Sequence, residues 1–310
     1  MTLLFASSDK EDTESWVPAL RSTLTDREVR AYPDIGREDD IDYALVWKPE
    51  PGLLARLPNL KVIFSMGAGV DAVLKDETLP THIPLVRMVD DSLTEGMTEY
   101  VVLHALRIHR QLEAYRAQQA QHLWNQLPER LGRERPVGVM GLGVLGSDAA
   151  TMLSRLRFDV AGWSRSPKSV DGVTSFHGEE GLDAFLRRTE ILVNLLPLTA
   201  ETTGILNADT LRRLPRGAHV INVARGLHVV DADLLAALDD EHIASATLDV
   251  FSTEPLPADH PYWSHPAVTM TPHVASVTHA RTAIRTVMEN IRRFEAGEPL
   301  QNVVDRGRGY

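Results

Sequence analysis

Residues 137–146 read V-G-V-M-G-L-G-V-L-G. A short apolar run, 137–140, meets a glycine-rich turn, and apolar residues then recur at 145, 149, 152, 153 and 156, the spacing of one helix face. Strand, tight turn and helix, in that order, are the parts a dinucleotide-binding turn needs. Gly141 allows the turn, Gly143 lets the backbone approach a pyrophosphate, and Gly146 permits close helix–strand packing. Val144 and Leu145 open the helix, whose first N–H groups lack intrahelical partners and suit phosphate oxygens. Taken alone, G-x-G-x-x-G also fits an ordinary strand–turn–helix connection, so its meaning depends on its surroundings.

Downstream, apolar runs at 160–163, 191–195, 219–223, 246–251 and 268–271 alternate with helical patterns. With 137–140 they make six expected strands of a doubly wound parallel sheet. Upstream, runs at 3–6, 29–32, 43–47, 62–65 and 84–88 predict a second parallel sheet, with a helix over 14–24. A long helical pattern spans 94–121, and an amphipathic helix over 278–296 is followed by a polar tail. The expected architecture is α/β with two doubly wound parallel-sheet domains. A Rossmann dinucleotide domain, residues 99–276, is inserted into a discontinuous flavodoxin-like substrate domain, residues 1–98 and 277–310.

Composition narrows the function. A formal net charge of -11 argues against nucleic acid, which needs a basic face for counterion release. With no cysteine, disulfides and thiolate metal sites are excluded, and no metal site is expected. No basic, apolar leader and no run of about 18 apolar residues is present, so no membrane partner and a soluble, cytoplasmic protein are expected.

An NAD-specific turn of this kind carries an acidic residue about 20 positions on, bonded to the ribose 2′-hydroxyl. Here the second strand runs instead into Ser164, Arg165, Ser166, Pro167 and Lys168. Hydroxyls, a planar guanidinium and an ammonium suit a 2′-phosphate, so NADPH is expected in preference to NADH. A merely solvated turn would leave the missing acid unexplained.

Three ionisable residues stand just beyond apolar strands, at the sheet edge where such folds bind ligands: Arg225 after H-V-I-N-V-A, Glu254 after T-L-D-V-F-S-T, and His273 after V-T-M-T-P. Together they suit reduction of a 2-keto acid. An arginine can hold the carboxylate and polarise the carbonyl, a histidine can donate the proton, and a glutamate can fix the histidine tautomer. Singly, each also fits a structural role at a strand end.

The set G-L-G-V-L-G, N-L-L-P-L-T-A-E-T-T-G-I-L-N, I-N-V-A-R-G, L-D-V-F-S-T-E-P-L-P and T-P-H-V-A-S, in this order, resembles the D-isomer-specific 2-hydroxyacid dehydrogenases. Y-A-L-V-W-K-P, S-M-G-A-G-V-D, W-S-R-S-P-K-S and V-D-R-G-R-G-Y are similar to the glyoxylate/hydroxypyruvate reductase A type within that family. The resemblance implies Arg225 as substrate-binding arginine, His273 as acid/base and Glu254 as its partner. It also implies Asp249 at the nicotinamide amide, Leu196, Pro197 and Thr203 along the cofactor, and a small-substrate turn at Met66, Gly67, Ala68 and Gly69 whose N–H groups take a carboxylate. Trp47, after a first-domain strand, is expected to wall the pocket, and Trp124 falls in an arm that in the family packs on a second subunit, which implies a homodimer. The expected reaction is NADPH-dependent reduction of glyoxylate or hydroxypyruvate. A reductase of a bulkier, phenylpyruvate-like keto acid and a non-catalytic NAD(P)-sensing, corepressor-like protein are the alternatives.

Overall fold

The apolar runs at 3–6, 43–46 and 62–65 become strands buried on both faces, which leaves no room for polar alternation, whereas 29–32 forms a partly buried edge strand. The computed structural model describes residues 1–310, and its contacts divide into two units, Met1–Leu93 with Val277–Tyr310 and Thr94–Ser276. In the discontinuous unit, β1 (Thr2–Ser7), α1 (Lys10–Thr23), β2 (Glu28–Ala31), β3 (Ile41–Trp47), β4 (Val62–Ser65), α2 (Asp71–Leu74) and β5 (Leu85–Val86) follow one another. The five strands are parallel in the order β2-β1-β3-β4-β5, the flavodoxin-like arrangement. The helix Ala280–Glu295 packs against α1 and buries Ala283, Ile284, Val287 and Ile291, one face at helical spacing. The expected polar tail does more than trail away. Val303 bridges Val86 antiparallel, the Val304 N–H donates to the Leu85 carbonyl, and Val304 is buried in the core. That return covers the edge of β5.

The continuous unit follows α3 (Asp91–His109) and α4 (Leu112–Ala120) with β6 (Pro136–Met140), α5 (Val144–Arg155), β7 (Asp159–Ser164), β8 (Thr174–His177), α6 (Gly178–Arg188), β9 (Ile191–Asn194), α7 (Ala208–Arg213), β10 (Ala218–Asn222), α8 (Asp231–Asp239), β11 (Ile243–Leu248) and β12 (Val268–Met270). Seven parallel strands run β12-β11-β10-β9-β6-β7-β8, so strand order reverses between β6 and β9. In open sheets that reversal is where ligands bind. Strand alternation sends Val137, Val139, Ile191, Val193 and Ile221 to one core, and Met140, Leu192 and Val220 to the other.

Two sequence expectations change here. Six strands were expected and seven form, because β8, T-S-F-H, is a mostly exposed edge strand with no apolar run to announce it. The long helix over 94–121 is broken at Gln111, whose φ of 54° is left-handed. The Arg110 N–H closes α3 on the Leu106 carbonyl, and the Gln111 amide donates to the Pro128 carbonyl at 2.7 Å, holding the arm that follows. No side chain of α4 is buried. No helix is long and apolar enough to cross a membrane.

Candidate active site

The three glycines after β6 serve three different constraints. Gly141 has φ +97°, and a Cβ there would lie 2.6 Å from the Leu195 carbonyl oxygen, which places this turn directly beside the end of β9. At Gly146 a Cβ would lie 1.8 Å from the Gly141 carbonyl oxygen, so α5 is seated on the turn itself. Around Gly143 nothing lies within 4 Å of that position. Gly143 caps α5 without a side chain, so the first-turn amides, including those of Val144 and Leu145, meet open space suited to a pyrophosphate.

At the end of β7, the Ser164 hydroxyl donates to the Ser166 carbonyl at 2.8 Å and is buried. Its one proton is committed within the loop, while its oxygen stays free to accept. Arg165, Ser166 and Lys168 are exposed, and the run 164–170 holds no carboxylate. The donor set fits a phosphorylated ribose better than a free 2′-hydroxyl. Arg165 also reaches the 196–203 loop electrostatically. Glu201 is held below the usual carboxylate range, first by the Thr199 hydroxyl and in smaller part by the Arg165 charge. Within that loop the Thr202 hydroxyl donates to the Pro197 carbonyl and the Thr203 hydroxyl to the Thr199 carbonyl, which gives the segment a closed shape.

Arg225, Glu254 and His273 follow the adjacent strands β10, β11 and β12, as their positions in the sequence predict. The His273 Nδ1 lies 2.9 Å from Glu254 Oε2, and Glu254 Oε1 accepts from the Phe251 N–H at 3.1 Å. The carboxylate thus fixes the tautomer: Nδ1 carries the proton and Nε2 is left to face outward. His273 itself has φ +55°, a left-handed backbone uncommon outside glycine. It is kept there by an N–H shared between the Asp249 and Thr271 carbonyls, at 2.8 and 3.1 Å.

Asp249 explains why that loop holds. Only 1% exposed, its carboxylate accepts from the Thr271 hydroxyl at 2.6 Å and from the N–H groups of Val274 and Ala275 at 2.8 and 2.9 Å. The side chain expected at the cofactor is a post around which the His273 loop is wound. The Tyr100 hydroxyl bonds Thr271 at 2.6 Å and extends the post to α3. Burial pushes Tyr100 up to about 12 and the neighbouring His104 down to about 4.

Arg225 is half-buried, with Nη1 donating to the Ala224 carbonyl at 2.7 Å. Gly226 follows it and lies against the backbone of the Glu254 loop: a Cβ would stand 1.8 Å from the Phe251 carbonyl carbon. The arginine turn and the glutamate loop are therefore in backbone contact.

In the discontinuous unit, the Trp47 ring lies on Gly67, where a Cβ would come within 2.5 Å of its Cζ3. The Lys48 ammonium stands 5.8 Å from the same ring's centroid. Of the four expected N–H donors in the 66–69 turn, two are already committed. Met66 donates to the Val46 carbonyl at 3.0 Å and Gly67 to the Ser65 hydroxyl at 3.3 Å. Ala68 and Gly69 remain, both partly exposed.

Sequence reasoning missed a buried set. Asn194, Asn222 and His228 are all 0% exposed, and the Asn194 amide donates to both Asn222 Oδ1 and His228 Nδ1 at 3.0 Å. An asparagine ending a strand just after a run of aliphatic residues, twice over, was the available signal. No group of three His, Asp or Glu side chains could hold a metal ion.

The model of the D-isomer specific 2-hydroxyacid dehydrogenase NAD binding domain matches residues 102–275. Over 304 residues the chain is 45% identical to glyoxylate/hydroxypyruvate reductase A of Yersinia enterocolitica, covering 96% of this chain and 97% of the relative. A D-isomer specific 2-hydroxyacid dehydrogenase from Xanthobacter autotrophicus Py2, solved with NADPH and MES, matches with a TM-score of 0.95 and 46% identity, covering 100% of this chain and 99% of that one. An NADPH-dependent glyoxylate/hydroxypyruvate reductase from Sinorhizobium meliloti, solved with NADP and sulfate, matches with a TM-score of 0.94 and 43% identity over the same shares.

Proposed function

The chain belongs to the D-isomer-specific 2-hydroxyacid dehydrogenases, and from that premise we propose that it is an NADPH-dependent reductase of small 2-keto acids, taking glyoxylate to glycolate and hydroxypyruvate to glycerate. The observation that carries this reading is the His273–Glu254 pair at 2.9 Å, on the strand end next to Arg225. Relatives of this name, and neighbours solved with NADPH or NADP, support it.

Gly141, Gly143, Val144, Leu145 and Gly146 would hold the pyrophosphate of NADPH, and Arg165, Ser166 and Lys168 its 2′-phosphate. Leu196, Pro197 and Thr203 line the cofactor. When bound, NADPH supplies a hydride to the carbonyl carbon. Arg225 holds the keto-acid carboxylate and draws electron density toward the carbonyl oxygen. His273 donates its Nε2 proton to that oxygen as it gains charge, while Glu254 keeps Nδ1–H in place and stabilises the imidazolium before transfer. Asp249 holds the loop on which this depends, and would stand on the nicotinamide side of bound NADPH. The discontinuous unit serves as the substrate domain. Its Ala68 and Gly69 N–H groups suit an anionic group, and Trp47 shapes the turn that presents them.

The protein acts as a cytoplasmic homodimer. Leu112, Tyr115, Leu123 and Leu131 are exposed along α4 and the arm after it, and Trp124 is fully exposed, an apolar series suited to burial against a second copy. NADPH oxidation over glyoxylate, hydroxypyruvate, pyruvate and phenylpyruvate, repeated with NADH, tests the reading. Turnover on the first two with NADPH is expected. A preference for phenylpyruvate would shift the assignment to the bulkier class, and no turnover on any keto acid would leave only the sensing role.

A further inference from the structure

Adjacent strands β9 and β10 both end on a buried asparagine, and Asn194 and Asn222 are register partners. Their amide orientations follow from their neighbours. Asn194 Oδ1 accepts from the Leu196 N–H at 3.3 Å, so its two amide protons go to Asn222 Oδ1 and to His228 Nδ1, each at 3.0 Å. Asn222 Oδ1 also accepts from the Ala224 N–H at 3.3 Å, and its amide donates to the Arg225 carbonyl at 3.0 Å. His228 Nδ1 is thereby an acceptor, so the ring proton sits on Nε2 and is donated to the Pro197 carbonyl at 3.2 Å.

Every polar atom of the set has a partner, and the network has two ends. One is the backbone of Arg225, the other the Leu196–Pro197 segment. Apolar side chains could fill this space without the desolvation cost of three buried polar groups. A satisfied buried network instead specifies one arrangement of the segments it joins.

We propose that Asn194, Asn222 and His228 are positioning residues that set the Arg225 turn and the 196–197 loop independently, one through each ring nitrogen of His228. The proposal rests on the reading of Arg225 as the keto-acid ligand and of Leu196 and Pro197 as cofactor lining. Through Nδ1 and the two asparagines the ring acts on keto-acid binding. Through Nε2 and the Pro197 carbonyl it acts on NADPH.

Two conservative substitutions separate the halves. His228→Asn places an acceptor oxygen near the Nδ1 position and removes the donor to Pro197. His228→Gln places a donor near the Nε2 position and removes the acceptor for Asn194. Losing one such hydrogen bond changes a binding constant by roughly two- to tenfold. His228→Asn is expected to weaken NADPH binding, read by nicotinamide fluorescence, by about fivefold with the keto-acid KM near wild type. His228→Gln is expected to do the reverse. Asn222→Asp, isosteric but unable to donate to the Arg225 carbonyl, is expected to raise the keto-acid KM and lower kcat while NADPH binding holds; it carries the test if a His228 variant does not fold. Parallel changes in both constants, or a lower melting temperature with both unchanged, would overturn the proposal. Failure of the underlying reading looks different, because the wild-type protein itself would then not reduce glyoxylate or hydroxypyruvate.

Discussion

Gly226→Ala is a one-methyl change that should disable the enzyme while leaving its cofactor turn alone. The added Cβ would meet the Phe251 carbonyl carbon at 1.8 Å, its oxygen at 2.1 Å and the Ser252 nitrogen at 2.2 Å. All three are backbone atoms and cannot rotate away. Ordinary contact begins at 3.4 Å, so the Arg225 turn and the Glu254 loop must part by about 1.6 Å. Since misplacing a catalytic group by about 1 Å costs on the order of 100-fold, kcat/KM should fall at least that far, or roughly 2.7 kcal/mol of transition-state stabilisation. Overpacking should also cost about 1–3 kcal/mol of stability, a melting shift of several degrees. The phosphate turn is untouched, so NADPH binding should stay within about threefold. The assay is steady-state NADPH oxidation with hydroxypyruvate, with nicotinamide fluorescence for the cofactor and a thermal melt for folding. A folded variant that retains turnover within tenfold of wild type would refute the reasoning.

Three further outcomes follow from the same geometry. Glu254→Gln keeps an acceptor beside His273 Nδ1 but removes the charge that stabilises the imidazolium; kcat should drop by roughly 100-fold or more with NADPH binding unchanged, and a loss under threefold would count against the pair. Arg165→Ala should raise the NADPH KM by roughly tenfold and leave the NADH KM alone, so an equal effect on both cofactors would remove Arg165 from the 2′-phosphate site. His104 is 5% exposed and burial lowers it to about 4, so between pH 6.5 and 4 the unfolded chain binds a proton that the folded one refuses. Stability should therefore fall as pH drops through that window, by up to about 3 kcal/mol from this group, and His104→Gln should flatten the melting profile there.

The parts of the molecule that sequence reveals are those in which local pattern and tertiary role coincide. Central parallel strands such as β6, β9 and β10 are buried on both faces and so appear as apolar runs, and the residues just past them mark one sheet edge. Gly141 and Gly146 are legible because backbone geometry alone demands them, and Gly143 because the open space beside it suits a ligand. Where the role depends on partners distant in the chain, the pattern is silent. Asp249 looks like any acid after a strand, yet its three donors come from 271–275. Ser164 and the 66–69 turn show donors whose protons the fold itself consumes, which no count of hydroxyls or amides reveals. Gln111 has no glycine-like signature for its left-handed turn, and β8 has no apolar face to betray it.

The return of residues 302–304 to the edge of β5 bears on how the protein is born. Residues 94–276 are contiguous, so that unit has every strand it needs once the ribosome has passed it. The other unit does not. Its sheet is synthesised first, but the helix that covers α1 and the segment that closes its edge arrive about 200 residues later, after all of the intervening unit. During that interval the nascent β5 edge and the apolar flank of α1 wait uncovered, until residues 280–304 follow the intervening unit and cover both.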